Sequence, residues 1–435
     1  MGNSKAVDVV VFGSANIEYI THVAELPKPG ELVAGTYMDT CFGGKGANQC
    51  VAAAKLGAST ALVAKLGKDE SGNGYLNHLK HQEVNVLHVE QVKNNPTGMS
   101  EIAVSDEGQQ YTINVAGANA LLTAKDVSRA KKAFSGAKVL LCQLETDMNA
   151  SMCAMRQFKG VSILHMSPMR KEIPAGMIAL PNILVVNQEA AAQLAELEEV
   201  KTLEQAREAA VAIIEKGAKS VIITMGDQGA VYMSKKDTDM CTHVPAADVP
   251  HLADPSGAGD AFLGSLAYHI ARFPKLTTEH HISAANSCAA YSVGRLGTQP
   301  SFPGKDGAKN DLCYMTPTFN VIPPPSAEAE PGENEESGET KKQQPPVVAP
   351  PPEEAPAPEP VVEEPPPPPP PEEPVAEAAP PPPEEAPVPE PVVEEPPQPP
   401  PPKEPVAEAA PVDVEEPQPV ETSNKPTKER PSTKT

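Results

Sequence analysis

Short apolar runs alternate with helical patterns through roughly the first three hundred residues of this chain, and then the alternation stops. Val7–Phe12, Val139–Leu144, Ser162–Met166, Ile183–Val186 and Val221–Met225 are too short for helices and rich in Val, Ile and Leu. They predict strands of a parallel sheet, buried on both faces. Between them lie stretches of helical period. Thr202 to Lys216 predicts one helix, with Thr202 and Gln205 as a capping box and Gly217 as the stop. Repeated strand–helix alternation predicts an α/β fold, a doubly wound, mostly parallel sheet with helices on both faces. Residues 15–41 and 97–115 break this rhythm with alternating patterns such as Met99, Glu101, Ala103 and Tyr111, Ile113, Val115. They predict extra antiparallel strands outside the main sheet.

From about Pro323 onward Pro, Glu, Ala and Val take over, and such a segment buries too little apolar surface to offset its ordering entropy. The expectation is a folded domain over residues 1–315 and a disordered acidic tail over 316–435. Residues 350–380 recur almost letter for letter at 381–411. The repeat has no hydrophobic face to stack, so it reads as an extended spacer or as a ligand for Pro-recognising domains. The tail also carries about −19 of the formal charge of −23, so the domain is nearly neutral. A cut after about residue 318 is expected to leave the domain's stability unchanged. No basic face for nucleic acid and no membrane-spanning run are present, and the start lacks an apolar signal region. Seven scattered cysteines in apolar surroundings predict reduced thiols, a cytosolic location with the nucleus left open, and no disulfide framework.

Asp254-Pro255-Ser256-Gly257-Ala258-Gly259-Asp260 runs straight into the apolar helical pattern of Ala261, Phe262, Leu263, Leu266 and Ala267. A helix beginning there aims unpaired N–H groups and its positive dipole end at the turn. The small residues Gly257, Ala258 and Gly259 let the backbone close on an anion such as phosphate. Asp260 would repel that anion, yet it is placed to accept a proton from a hydroxyl attacking it. The same residues also suit an ordinary capped helix with an acidic first turn, and the segment alone does not decide.

Gly43-Gly44-Lys45-Gly46-Ala47-Asn48 opens a second helix. It is not a Walker A loop, because the Lys lies among the glycines and no Ser or Thr follows it. Together the two segments resemble the signature regions of the ribokinase-like sugar kinases. Gly13-Ser14-Ala15-Asn16, Pro29-Gly30-Glu31, Val115 to Asn119, Gln143-Leu144-Glu145, Asn187, Thr224 to Gly229 and Gly297-Thr298-Gln299-Pro300-Ser301 follow that family's order. The resemblance covers about residues 5–305.

The resemblance implies ATP-dependent phosphorylation of D-ribose to D-ribose 5-phosphate, with Asp260 as general base and the N–H groups of Gly257, Ala258 and Gly259 as anion hole. It implies a sugar site of Asn16, Glu18, Gly44, Lys45, Gly46, Asn48 and Glu145. For the nucleotide it implies Asn187, Thr224, Met225, Gly226, Asp227, Gln228, Gly229, Gly259 and Asn286. It further implies Mg²⁺, K⁺ at Asp254, Ser256, Ser292, Arg295, Gly297 and Ser301 (partly through backbone carbonyls), a small β lid over the sugar formed by the extra strands of residues 15–41 and 97–115, and a homodimer through that lid. Read from the residues alone, Lys45 also fits a solvated loop lysine, Glu145 a helix cap, and Thr224 to Gly229 an ordinary turn.

The chain departs from the family pattern at four places. Glu18 stands where the family has Asp, Ala190 where it has the Glu of an Asn-x-x-Glu motif, His165-Met166-Ser167-Pro168 for Asn-Pro-Ala-Pro, and Pro255 for Thr. Two expectations therefore stand: a working sugar kinase, or a catalytically weakened relative that binds ligands or partners.

Overall fold

The computed structural model describes residues 6–305 and 317–324, and the expectations for the acidic tail beyond residue 324 lie outside them. In chain order the strands are β1 (Val9–Phe12), β2 (Asn16–Val23), β3 (Gly35–Gly43), β4 (Thr60–Gly67), β5 (Asn85–Val92), β6 (Gly98–Ser105) and β7 (Gln110–Val115). They continue as β8 (Val139–Cys142), β9 (Val161–His165), β10 (Ile183–Asn187), β11 (Ser220–Thr224), β12 (Ala230–Ser234), β13 (Asp237–Val244) and β14 (Asn320–Val321). Ten of these form one sheet in the order β14-β13-β12-β11-β10-β9-β8-β1-β4-β5. From β5 to β11 neighbours run parallel; β12, β13 and β14 are added antiparallel at one edge.

The expected doubly wound sheet is present, and the pleat explains its two cores. In β1, Val10 and Phe12 enter one apolar cluster while Val9 and Val11 enter the other; in β8, Leu140 and Cys142 part from Val139 and Leu141 in the same way. The Leu203–Glu215 helix carries the predicted capping box, and Gly217 follows it at φ 110°. The second cluster is covered by the Lys45–Lys55 and Ala258–Arg272 helices. They meet at Gly264, where a Cβ would lie 2.4 Å from Ala52 Cβ and 2.8 Å from the Gln49 carbonyl oxygen.

A second sheet, β3-β2-β6-β7, is the lid. β2/β3 and β6/β7 pair antiparallel as expected, but β2 and β6 pair parallel. Alternation in sequence identifies a strand and not its partner's direction. β2 and β6 leave the main sheet from the ends of β1 and β5, which point the same way, so the two lid strands do as well.

The domain boundary expected at residue 315 falls short. β14 pairs with β13, and Ile322 is 5% exposed within the core, its N–H donating to the Cys241 carbonyl at 2.8 Å. The segment is only four residues, Phe319-Asn320-Val321-Ile322, three of them apolar, and the prolines around it mask it.

Two outcomes follow from this packing. A chain ending at residue 318 lacks β14 and Ile322 and should be about 2–3 kcal/mol less stable than one ending at residue 324, the worth of burying one large aliphatic side chain. Denaturant melts of the two truncations give the difference, and equal stabilities would return the boundary to 315. Gly264→Ala should cost about 1–3 kcal/mol by overpacking the helix crossing, read as a lower thermal midpoint.

Candidate active site

The Ala258–Arg272 helix starts at Gly257, whose φ of 79° favours glycine and where a Cβ would lie 2.7 Å from Thr298 Cγ2. The Ala258 N–H turns back to the Pro255 carbonyl at 3.2 Å, so the neighbouring N–H groups of Gly257 and Gly259 are the donors left to the turn. Asp260, in the first helical turn, is 7% exposed. Asn48 Nδ2 donates to its Oδ2 and Gln49 Nε2 to its Oδ1, each at 2.9 Å. Asn48 is fixed in turn by Gln299 Nε2, which donates to its Oδ1 at 2.8 Å.

The second glycine loop packs against the end of β1. Gly44 has φ 87°, and a Cβ on Gly46 would lie 2.6 Å from the Ser14 nitrogen. Its N–H groups hold carboxylates: Gly44 donates to Glu18 Oε1 at 3.1 Å and Lys45 to Glu145 Oε2 at 2.9 Å. The Ser14 hydroxyl donates to the same Glu145 oxygen. Glu145 thus ties the end of β1 to the end of β8 and also caps the first N–H of the Lys45–Lys55 helix. Here the strand order reverses, which is where open α/β sheets form a ligand crevice.

A cavity of about 630 Å³ opens there. The lid supplies Glu18, Ile20, Ser100, Ile102 and Asn114 to its wall; the main domain supplies Lys45, Asn48, Glu145, Arg170, Ser256, Gly257 and Asp260. Asn16, Gly44 and Gly46 are buried behind that wall. Asn16 Oδ1 accepts from Asn119 Nδ2 at 2.7 Å.

Charges in the cavity are coupled. Burial holds Asp260 above the usual carboxylate range against the pull of Lys45, Gln49 and Asn48. Burial also raises Glu18; the Gly44 N–H opposes this, and Asp260 and Glu145 add to it. Burial disfavours the Lys45 ammonium, yet Asp260, Glu145 and Glu18 together outweigh it and keep lysine above its ordinary pKa. Lys45 is therefore a charged member of the site and not a solvated loop residue.

The expected nucleotide residues stand outside this cavity wall. Asn187 caps the Gln188–Ala195 helix, its Oδ1 accepting from the Ala190 N–H at 2.8 Å. Thr224 to Gly229 joins β11 to β12, with Gly226 and Gly229 at positive φ. Asn286 Nδ2 donates to the carbonyls of Val244 and Pro245 at 3.1 and 2.8 Å. Of the expected cation residues, Asp254 accepts from the Ser256 and Gly297 N–H groups at 2.8 Å each, and the Ser292 and Ser301 hydroxyls meet at 2.6 Å. Arg295 stacks on the Tyr291 ring, 3.4 Å from its centroid, so only its backbone carbonyl is suited to a cation. Among the described residues, no cluster of three or more His, Cys, Asp or Glu side chains is arranged to hold a metal.

Sequence reading missed Ser14, Gln49, Gln143, Arg170 and the lid pair Ser100 and Asn114, whose side chains meet at 3.0 Å. A signal existed for some: Gln49 adjoins Asn48, and Ser100 and Asn114 are polar positions within alternating strands.

Similarity to known proteins agrees with this geometry. The profile of the pfkB family carbohydrate kinases matches residues 6–305. Mouse ribokinase is 38% identical over 304 residues, 69% of this chain and 93% of its own length. A deoxyribokinase of Salmonella typhi is 31% identical over 300 residues, 68% of this chain and 96% of its own. The structure of Arabidopsis thaliana ribokinase complexed with ribose and ATP superposes with a TM-score of 0.63 at 26% identity, covering 72% of this chain and all (100%) of that one.

Lys45→Met leaves three carboxylates without their shared cation, and stability near pH 8 should fall by on the order of 3 kcal/mol. Asp260 and Glu18 bind protons more tightly folded than unfolded, so stability falls as pH rises from the ordinary carboxylate range through their raised values. Without Lys45 that slope steepens. Thermal melts between pH 8 and pH 5 should show the gap from wild type narrowing on acidification; a widening gap contradicts the charge balance described.

Proposed function

The chain belongs to the pfkB family of carbohydrate kinases, and from that premise we propose that it transfers the terminal phosphoryl group of ATP to the 5-hydroxyl of D-ribose. The observation that carries this is Asp260, a buried carboxylate in the first turn of a helix, opening with Lys45 onto the cavity between lid and sheet. The sugar oxygen attacks the terminal phosphorus, the bond from phosphorus to the bridging oxygen breaks, and the hydroxyl proton passes to Asp260. Products are D-ribose 5-phosphate and ADP. A carboxylate raised by burial is a stronger base than a solvated one. The Gly257 and Gly259 N–H groups face the transferring phosphoryl. Glu18, Glu145, Asn48 and Lys45 hold the sugar hydroxyls. Asn187, the Thr224 to Gly229 turn and Asn286 serve the nucleotide at the far end of the crevice.

Ribose is favoured over 2-deoxyribose by the higher identity to mouse ribokinase than to the Salmonella typhi deoxyribokinase. Magnesium arriving with the nucleotide supplies charge compensation at the phosphates, held chiefly by phosphate and water. This chain adds little to it, since Ala190 is buried and carries no oxygen donor in its side chain. The oxygens around Asp254, Ser256, Ser292, Arg295, Gly297 and Ser301 suit a monovalent cation such as K⁺. The lid's exposed Tyr37, Met38, Tyr111 and Ile113 suit a homodimer contact. Buried free thiols at Cys50, Cys142 and Cys241 fit the reducing cytosol. Ala190 also supports the second reading, a weakened kinase acting mainly as a ligand- or partner-binding protein.

Asp260→Asn replaces an acceptor with a group that cannot take the proton. Ribose-dependent ATP consumption in a coupled assay should fall about 10²- to 10⁴-fold, with the fold checked by circular dichroism. Undiminished turnover removes Asp260 from the role of base. A wild type without ribose-dependent turnover leaves the second reading.

A further inference from the structure

We infer that Gln49 is a positioning residue for Asp260, holding its carboxylate from behind the cavity wall so that it faces a substrate hydroxyl. The inference rests on the role proposed above for Asp260. Gln49 is fully buried and, unlike Asn48, does not line the cavity. Its Nε2 donates to Asp260 Oδ1 at 2.9 Å and meets His165 Nδ1 at 3.1 Å. Its Oε1 accepts from Gln143 Nε2 at 2.7 Å. Only this orientation of the amide works. Turned over, it would set Oε1 against the carboxylate and Nε2 against the Nε2 of Gln143.

His165 fits the same arrangement. Burial, assisted by Lys45, lowers its pKa to about 3, so the imidazole is neutral and Nδ1 is free to accept. Gln143 keeps its Nε2 on Gln49 although its own Oε1 has no hydrogen-bond partner among the described residues. With Asn48 on Oδ2 and Gln49 on Oδ1, the carboxylate cannot rotate without breaking both bonds.

Asp260 is also faced by Lys45, Glu145 and Glu18, and Gln49 itself by His165; none of these changes in a Gln49 variant. Gln49→Leu removes the donor. Its kcat with ribose should fall about 10- to 100-fold while the KM values for ribose and ATP stay within about twofold, because Gln49 touches neither ligand. The acidic limb of kcat should move up by about one pH unit, since a carboxylate that loses a donor binds its proton more tightly. Gln49→Glu keeps the length and still accepts from Gln143; its limb should move further up, and it gives the reading if the Leu variant does not fold. Titration of the Asp260 carboxyl by ¹³C NMR follows the same shift without turnover. An inactive wild type thus removes the proposed reaction while the titration still decides the role of Gln49. An unmoved acidic limb and carboxyl titration in the folded variants, or KM rising in step with falling kcat, overturns the inference.

Discussion

Three carboxylates and one ammonium converge on the cavity, and much of the surrounding backbone exists to hold them there. Asp260, Glu145 and Glu18 together keep Lys45 charged in a place where burial alone would neutralise it. Removing any one of the three acids weakens the hold on the Lys45 ammonium. Two devices on one helix fix the acids, one of backbone N–H groups and one of side-chain amides. The Gly44 and Lys45 N–H groups hold Glu18 and Glu145, while amides from the next turn of the same helix hold Asp260. A glycine-rich loop is commonly read as a phosphate cradle, but here its donors already have carboxylate partners. In the other turn the Gly257 and Gly259 N–H groups are the donors left open, so the two loops differ in what they can still bind.

The hold on Asp260 depends on a helix crossing one turn away from it. Asp260 belongs to one helix and its two amide donors to another, and the pair meet at Gly264 with no room for a Cβ. The approach sets how near Asn48 and Gln49 come to the carboxylate. Core packing and site chemistry are therefore one constraint: a methyl group at the crossing is felt one turn away as a lengthened hydrogen bond.

Much of this architecture was legible in the sequence because its signals are local. The buried runs that became β1, β8, β10 and β11, the capping box at Thr202 and Gln205, and the two glycine-rich helix starts are written in contiguous residues. Lys45, Asn48, Glu145 and Asp260 were legible as a set through family resemblance, and the structure gathers them on one wall. What escaped depends on partners distant in sequence. The direction of β6 against β2 follows from how two separate strands leave the sheet. β14 is two residues of edge pairing beside prolines. Gln143 and Gln299 stand in motif stretches and Gln49 adjoins one, but their contacts around Asp260 and Asn48 depend on partners distant in sequence.

The roots of the lid have a kinematic meaning. Only Gly13, Ser14 and Ala15 separate β1 from β2, and Asn119 grips both backbone groups of Ala15 at 3.0 and 3.2 Å. The other root, at Thr97 before β6, is held by the Asp69 carboxylate through two bonds of 2.7 Å. A sheet clamped at both roots is a cantilever and not a flap: it is stiff where it joins the body and compliant at its outer edge. Glu18 lies near the clamped end, on the same rung as Ser100 and Asn114. Gln110 and Thr112 on β7 lie further out along the sheet. A sugar entering this cavity therefore meets a finished floor and a provisional ceiling.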